Sequence, residues 1–473
     1  MLNPSGLPYL GARALSAAGN LFAVAVFSRL AGPEEYGHYI LIFAWSLIVY
    51  GFGAQWMRFA FFGVYQTERF GEYVGSLSWL LAGGLTVVAL VLAVLGACGI
   101  FAPNFLIAVF ALVCGTALYE GALEVARILH NVRMAALSMI LRALLTVAFG
   151  SASLWFGGDA RDLAIAVALA QIFAAVPSLT SFSRFRWSRA TRATALRILG
   201  YGWPLLLSFG VTAVAQSIDR LLLAHYLGAA TLGPYGVVAD VLRQSFTVVG
   251  EAITLSLVTI AKSHANEGDL HATNAALQRT FNACLATAAF GAAFFIVFGD
   301  LVLRVVLKPE FIAPTQDLVP IFAIAFAFIT MRNFYFAQVI YFTHASYLDL
   351  VVSILFVAVS ATLSLLLVPV YGAHGGAVAL TASCIISCLA FMVLGRRWYR
   401  LPVDFTALKV MPALAACFVL GARVSMHFIP GEYLPVALNA LVFAVVGGFA
   451  IRRFGLLAAT PADAAVAAGI PVR

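Results

Sequence analysis

Apolar segments long enough to cross a bilayer recur along almost the whole of this chain. A transmembrane helix needs about 20 mostly apolar residues, and by that measure the sequence predicts fourteen spans. Their approximate bounds are 10–31, 38–63, 74–99, 104–127, 134–157, 160–183, 200–227, 235–261, 280–299, 316–341, 345–369, 374–395, 406–428 and 433–451. The connectors between them are too short to form a soluble domain. We therefore expect an all-α, polytopic membrane protein.

Composition excludes the other broad classes. Of the 473 residues, 63% are hydrophobic and only 10% are charged, whereas a water-soluble domain carries about 25% charged residues. The net charge of +8 comes mainly from arginines between apolar segments, a placement that favours membrane topology over a nucleic-acid-binding face. The six cysteines lie within apolar runs, without His or carboxylate neighbours at metal-ligand spacing. The sequence predicts no metal site and no cofactor.

Arginine placement also predicts the orientation of the spans. Basic residues cluster in the connectors after spans six and twelve and flank the one after span four: Arg184, Arg186, Arg189, Arg192, Arg197, Arg396, Arg397, Arg400, Arg127 and Arg133. Most connectors on the opposite side are poor in them. Because short cytoplasmic loops carry the excess of Arg and Lys, we expect both termini to be cytoplasmic.

A short turn occurs twice, as "LAGPEEYGHY" at 30–39 and "LGAATLGPYG" at 227–236. Three residues of the second copy lie 196 positions after their counterparts: Gly228 after Gly32, Gly233 after Gly37 and Tyr235 after Tyr39. An even number of spans separates the copies, which predicts a parallel repeat of two six-helix lobes. The predicted domains are 1–190, 191–399 and 400–473, the last holding two further helices and a cytoplasmic tail. Transporters often bind substrate between such halves.

The turn itself is expected to be structural. Gly32 could end span one as a left-handed cap, and Pro33 suits the first position of the next helix. Glu34 and Glu35 would then face the positive end of that helix dipole. Gly228 is expected to cap span seven in the same way, so no chemistry is assigned to either copy.

Polar side chains inside spans one, two, seven and eight share helical faces. In span seven they recur at spacings of three or four residues, from Ser208 through Thr212 and Gln216 to Asp219. The 196-residue offset maps Thr212 onto Ser16 and Gln216 onto Asn20 of span one. We predict a polar cavity, lined by Arg13, Asn20, Gln55, Thr212, Gln216, Asp219 and Gln244.

Three arginines give this cavity a predicted cationic surplus. Arg58 has no acid within one helical turn, and Arg220 adjoins Asp219, but adjacent residues do not face each other on a helix. Together with Arg332 they suit an anion, since guanidinium forks match phosphate oxygens. The alternative for any one charge is internal pairing, as of Glu124 with Arg127 or Asp240 with Arg243. Glu120 and Arg142 are further charges inside spans four and five.

Motifs for catalysis are absent from the sequence. It contains no GxxxxGK[ST] phosphate loop, no GxSxG elbow and no HExxH helix. We therefore predict no catalytic residue and a chain that is not an enzyme.

The segments "SRLAGPEEYGHYIL" at 28–41 and "SIDRLLLAHYLGAATLGPYGVVADVL" at 217–242 resemble the polysaccharide transporter family. These are the O-antigen and exopolysaccharide flippases of the multidrug/oligosaccharidyl-lipid/polysaccharide superfamily. The resemblance implies a V of two lobes in the bacterial inner membrane. It implies alternating-access flipping of an undecaprenyl-pyrophosphate-linked sugar, with membrane lipids and other polysaccharide assembly proteins as partners and no nucleic acid. The family's cationic cavity residues carry over to Arg58, Arg220, Arg243 and Arg332, and the last two helices would form a groove for the lipid tail.

Two alternatives to the flippase stay open. A cation-coupled drug exporter of the multidrug and toxin extrusion type would need a cavity acid, which Asp240, Glu120 or Glu251 could supply. A glycan polymerase or ligase would need a sizeable periplasmic loop, and the outer loops here are short. Coupling to a proton or a sodium ion through Glu120, Glu124, Asp240 or Glu251 also stays open, beside the membrane potential, which supplies about 2.3 kcal/mol per charge per 100 mV.

Overall fold

The computed structural model describes residues 6–184, 188–343, 347–431 and 433–456, and within them every regular element is helical. Arg186 and residues 457–473 of the predicted C-terminal region lie outside the described residues. The helices are α1 (Gly6–Leu30), α2 (Pro33–Tyr50), α3 (Trp56–Val64), α4 (Phe70–Ala97), α5 (Pro103–Ile128), α6 (Val132–Trp155), α7 (Ala160–Leu179), α8 (Arg192–Leu227), α9 (Ala229–Ile253), α10 (Thr259–Asn266), α11 (Leu270–Val306), α12 (Pro309–Ile312), α13 (Val319–Phe334), α14 (Val339–Phe342), α15 (Tyr347–Gly395), α16 (Phe405–Phe428) and α17 (Tyr433–Arg453).

In the described part of the chain, 13 helices are long and apolar enough to cross a membrane, so this is a multi-pass membrane protein. The sequence predicts fourteen spans, and the difference lies in α15, whose 49 residues include most of the predicted span 345–369 and all of 374–395. A straight helix of that length would measure roughly 74 Å, against about 30 Å for the hydrocarbon core. Gly372 breaks it with φ 58° and ψ −136°. Gly375 lies against the carbonyl of Leu367, so the chain reverses there.

The first turn differs from its predicted conformation. Gly32 has φ −76° and ψ 166°, which is extended backbone, so the expected left-handed cap at Gly32 is wrong. Pro33 sits in the first turn of α2 and forces this geometry, because a residue before proline is driven out of the helical region. Gly228, which no proline follows, has φ 78° and ends α8 as a glycine-only position. Glu34 and Glu35 lie in the first turn of α2, as predicted.

The two copies of the turn pack against each other. A Cβ atom on Gly37 would collide with the carbonyl of Ala229, and one on Gly233 would collide with the carbonyl of Pro33. The contact is reciprocal under the 196-residue offset, since Ala229 is the counterpart of Pro33 and Gly233 that of Gly37. Two glycines therefore allow the first turns of α2 and α9 to cross with their backbones touching.

Spans two and eight each contain one π-helical turn. It lies at Gly51–Gln55 between α2 and α3, and at Thr254–Val258 between α9 and α10. A π-turn adds a residue to a helical turn and rotates the next helical segment about the axis. Side chains on either side of it therefore share a face at spacings that a regular helical period does not predict.

The chain forms two compact units, mainly Asn3–Gly236 and Val237–Arg473. In the first, Trp56, Phe61 and Tyr73 pack with Ile198 of α8. In the second, the core holds Phe281 of α11, Tyr335 after α13, Phe391 of α15, and Met411 and Phe418 of α16. The predicted boundaries at 190/191 and 399/400 stay predictions.

Candidate functional site: an arginine–glutamate cluster and an apolar groove

Two arginines share one carboxylate in the unit formed by residues 3–236. Nη1 of Arg58, on α3, donates to Oε2 of Glu120, on α5. Nη1 of Arg142, on α6, lies 3.9 Å from Oε1 of the same residue. We call Arg58, Glu120 and Arg142 the shared-carboxylate cluster. It carries one positive charge in excess, and its three side chains are 18%, 23% and 27% exposed, respectively.

The π-turn before α3 helps to place Arg58. Trp56, the first residue of α3, donates from Nε1 to the carbonyl of Phe52 at 3.1 Å and is itself buried. Phe59 stacks on Phe209 of α8 with ring centroids 4.4 Å apart. These contacts fix α3 against the π-turn and α8, and the guanidinium of Arg58 reaches Glu120 on α5.

Glu124 has a partner of its own one turn further along α5. Nη1 of Arg127 donates to Oε2 of Glu124 at 3.2 Å, which is the internal pairing that the sequence allowed as an alternative. This pair is neutral as a whole, so Glu124 does not cancel the excess charge of the shared-carboxylate cluster.

Tyr50 is a member of this neighbourhood that sequence reasoning missed. It is 5% exposed, at the last position of α2, and lies within electrostatic range of Arg58, Glu120 and Glu124. The π-turn at Gly51–Gln55 lies between Tyr50 and Arg58, so the regular helical period does not relate their faces. No sequence signal therefore marks Tyr50, which is an isolated tyrosine among apolar residues.

Span seven carries its predicted charges deep in the protein. Asp219 and Arg220 are each 5% exposed, and Oδ2 of Asp219 accepts a hydrogen bond from the Tyr235 hydroxyl at 3.2 Å. Tyr235 belongs to the second copy of the repeated turn and is fully buried. Asp219 thus helps to fix the start of α9 against α8.

The remaining predicted lining residues of the first unit differ in exposure. Arg13, Asn20, Gln55 and Thr212 are partly buried, and Gln216 is exposed. Gln55 lies in the π-turn itself. Their assignment to a common cavity stays a prediction.

The unit formed by residues 237–473 holds the other predicted charges. Nη2 of Arg243 donates to Oδ1 of Asp240 at 2.5 Å, one turn apart on α9. Gln244 and Glu251 are partly buried on the same helix. Asp240 and Arg243 therefore realise the internal pairing that was the alternative to a cavity role.

Arg332, on α13, has an aromatic environment. Its guanidinium carbon lies 5.6 Å from the ring centroids of both Phe356 and Phe391 of α15, a cation–π geometry. Its Nε is buried without a hydrogen-bond partner. Two rings thus compensate part of the cost of holding this charge among apolar side chains.

An apolar groove of about 700 Å³ opens in the same unit. It is lined by four helices, with Ala292 on α11, Phe328 on α13, Leu389 on α15 and Ala416 on α16 among the lining residues. The small alanine side chains on α11 and α16 leave the space that larger residues would fill. We call this recess the apolar groove.

Asp404 begins α16 next to the groove residue Val403. Its Oδ1 accepts from the backbone N–H groups of Thr406 and Ala407, both at 3.0 Å, and its Oδ2 accepts from Asn282 at 3.2 Å. Burial would raise the pKa of Asp404, but these hydrogen bonds outweigh it and hold the pKa below its ordinary value.

Metal ligation finds no support in the part of the chain that the structure describes. No group of three His, Cys, Asp or Glu side chains is arranged there to hold an ion.

Solved structures similar to this chain are named as flippases and transporters, whereas no family model and no curated protein matches it. A structure named lipid II flippase MurJ, in an inward closed conformation, superposes with a TM-score of 0.69 and 12% identity, over 94% of this chain and 99% of that one. An inward-facing MATE-family transporter of the MOP superfamily superposes with a TM-score of 0.59 and 14% identity, over 81% of this chain and 94% of that one. The Vibrio cholerae MATE transporter VcmN superposes with a TM-score of 0.56 and 17% identity, over 84% of this chain and 95% of that one. At these identities the similarity establishes the fold.

Proposed function

We propose that this chain, which has the fold of MOP-superfamily transporters, is a flippase for a polyprenyl-pyrophosphate-linked oligosaccharide in the bacterial inner membrane. The observation that carries the proposal is the shared-carboxylate cluster, in which Arg58 and Arg142 face the single carboxylate of Glu120. Its excess positive charge lies within predicted spans, where charge is costly and marks function. Pyrophosphate is the kind of anion that guanidinium forks bind.

The apolar groove supports a lipid-linked substrate over a soluble one. Each buried methylene group contributes about 0.8 kcal/mol, so a polyprenyl tail gains strongly from a recess of about 700 Å³ lined by apolar side chains. The named activity of one structural neighbour, a lipid II flippase, agrees with a substrate that has a lipid tail and a polar head.

The other predicted residues have secondary roles in this proposal. Arg220 is buried, and the charge of Arg243 is balanced by Asp240. Arg58 and Arg142 share one carboxylate, so we place the substrate's anion at Arg58. Among the acids proposed for ion coupling, Glu120, Glu124 and Asp240 all have arginine partners. Proton or sodium coupling through any of these three acids would therefore require an arginine to release its carboxylate first.

A cation-coupled drug exporter is the second candidate, favoured by the similarity to MATE transporters. Such a pore must accept cations, and the arginine partners of the acids oppose this. Overexpression in a drug-sensitive strain separates the candidates, because an exporter raises resistance to cationic drugs and a glycan flippase does not.

The test is deletion of the gene followed by analysis of membrane lipids. We expect a polyprenyl-linked glycan to accumulate at the cytoplasmic face. Wild-type protein expressed from a plasmid should remove the accumulated glycan. The Arg58→Ala variant should not remove it, although the variant inserts normally into the membrane. Arg304→Ala is the matched control, since Arg304 is 60% exposed and pairs with Asp300 one turn away. Unchanged lipids in the deletion strain would refute the proposed function.

A further inference from the structure

The carboxylate of Glu120 meets its two arginines unequally. Oε2 is hydrogen-bonded to Arg58, whereas Oε1 lies 3.9 Å from Nη1 of Arg142, beyond hydrogen-bond distance. The guanidinium of Arg142 rests over the ring of Tyr119 at 5.0 Å, which holds it in place by a cation–π contact. Glu120 therefore has one strong partner and a second partner within a small movement.

Arg58 still has capacity to bind another group. Its Nε is buried without a hydrogen-bond partner, while its side chain as a whole is 18% exposed. Arg220, by comparison, is 5% exposed and inside the protein packing. Part of the Arg58 side chain is therefore accessible from outside the protein packing, whereas Arg220 is enclosed.

Carboxylate and phosphate groups compete for the same guanidinium face, because both present two oxygens to its N–H fork. A charge held within the spans is strongly destabilising when its partner is removed. Without substrate, Arg58 therefore needs an anionic side chain as its partner. When substrate is bound, the displaced side chain needs a second cation to pair with.

We propose that Glu120 is this internal anion: it occupies Arg58 in the empty carrier, is displaced by the anionic head group of the substrate, and is then held by Arg142. Glu120 and Arg142 are thus positioning and specificity residues. A neutral or cationic molecule has no anion to exchange for the carboxylate, so it fails to open the Arg58–Glu120 pair. The inference rests on the proposed function and adds a basis for its selectivity.

The first experiment measures binding of undecaprenyl pyrophosphate to the full-length protein in lipid nanodiscs. Glu120→Gln removes the competing charge, and we expect it to bind the probe about 10-fold more tightly, the effect of one charge-assisted hydrogen bond. Glu120→Asp, which keeps the charge but withdraws it by one methylene group, should also tighten binding. It serves as the second variant if Glu120→Gln does not fold. Asp300→Asn changes an acid that is 35% exposed and paired with Arg304, and this variant should bind as the wild type does.

The second experiment is a double-mutant cycle of melting temperatures with Arg142→Gln, Glu120→Gln and the double variant, all of which keep Arg58 and can bind the probe. Without the probe, we expect weak coupling, because Oε1 of Glu120 lies 3.9 Å from Arg142. At saturating undecaprenyl pyrophosphate the coupling should increase, because Glu120 is then held by Arg142. Coupling that does not change at saturation would overturn the exchange.

The outcomes distinguish this inference from the proposed function. If the wild type binds the probe and Arg58→Gln abolishes binding, but Glu120→Gln binds equally or more weakly, the substrate class stands and the exchange is wrong. If the wild type binds no undecaprenyl pyrophosphate at all, both are wrong.

Discussion

At the scale of a single residue, the shape of the Arg58 guanidinium contributes to anion binding beyond its positive charge. A lysine would keep the positive charge at this position but present a single ammonium group in place of the planar fork. We expect Arg58→Lys to insert and fold normally and to lower glycan export by about 10-fold, the cost of one charge-assisted hydrogen bond. Export is measured by surface glycan, and Arg304→Lys, at an exposed position, is the control. Wild-type export by Arg58→Lys would contradict a bidentate role.

Asp404 predicts a pH-dependent stability. The pKa of Asp404 in the folded protein is lowered. Its carboxylate therefore stabilises the folded state when the pH is above the pKa of the unfolded chain, about 3.9. This contribution is lost as the pH falls through the pKa of the folded state. We expect Asp404→Ala to melt about 1–2 °C below the wild type at pH 7, since a helix cap contributes ~1 kcal/mol. The difference should close below about pH 4. Asp317→Ala, at an exposed acid, is the control, and a difference independent of pH would contradict the prediction.

The residues of the candidate site were predictable as residue types but not as partners. Local spacing indicated Glu124 with Arg127 and Asp240 with Arg243, because helix geometry fixes contacts three residues apart. Local spacing indicated no acidic partner for Arg58, because Glu120 is 62 residues away in sequence on another helix. A pair between two helices depends on which helix faces pack together, and a single sequence does not specify the packing.

The reciprocal glycine crossing is a feature of two whole elements. We expect Gly37→Ala and Gly233→Ala to lower stability by similar amounts, about 1–3 kcal/mol each, because either Cβ would push the first turns of α2 and α9 apart. Gly121→Ala is the control on α5, where nothing lies within 4 Å of the added atom. Thermal unfolding in detergent measures the effect, and a Gly37→Ala variant that melts as the wild type does would contradict the close crossing.

The elements themselves were largely predictable, and their irregularities were not. Apolar length alone located the spans because a bilayer demands about 20 residues per crossing. The π-turns at Gly51–Gln55 and Thr254–Val258 have no comparable sequence signal, since they depend on packing against neighbouring helices. The cap at Gly32 was mistaken because the effect of Pro33 on its preceding residue outweighs the preference of glycine.

At the scale of the whole molecule, the apolar groove separates a carrier of lipid-linked glycans from one of water-soluble ions. Ala416 of α16 lines the groove, and we expect Ala416→Trp to block the lipid tail and abolish glycan export while insertion and melting temperature are retained. Cys417, the next residue, is exposed and is not among the groove-lining residues, so Cys417→Trp adds a bulky ring at an adjacent position outside the groove. Surface glycan and the cytoplasmic pool of lipid-linked glycan are measured together. Full export by Ala416→Trp would exclude the groove from the transport path, whereas equal loss in both variants would point to general disruption of α16.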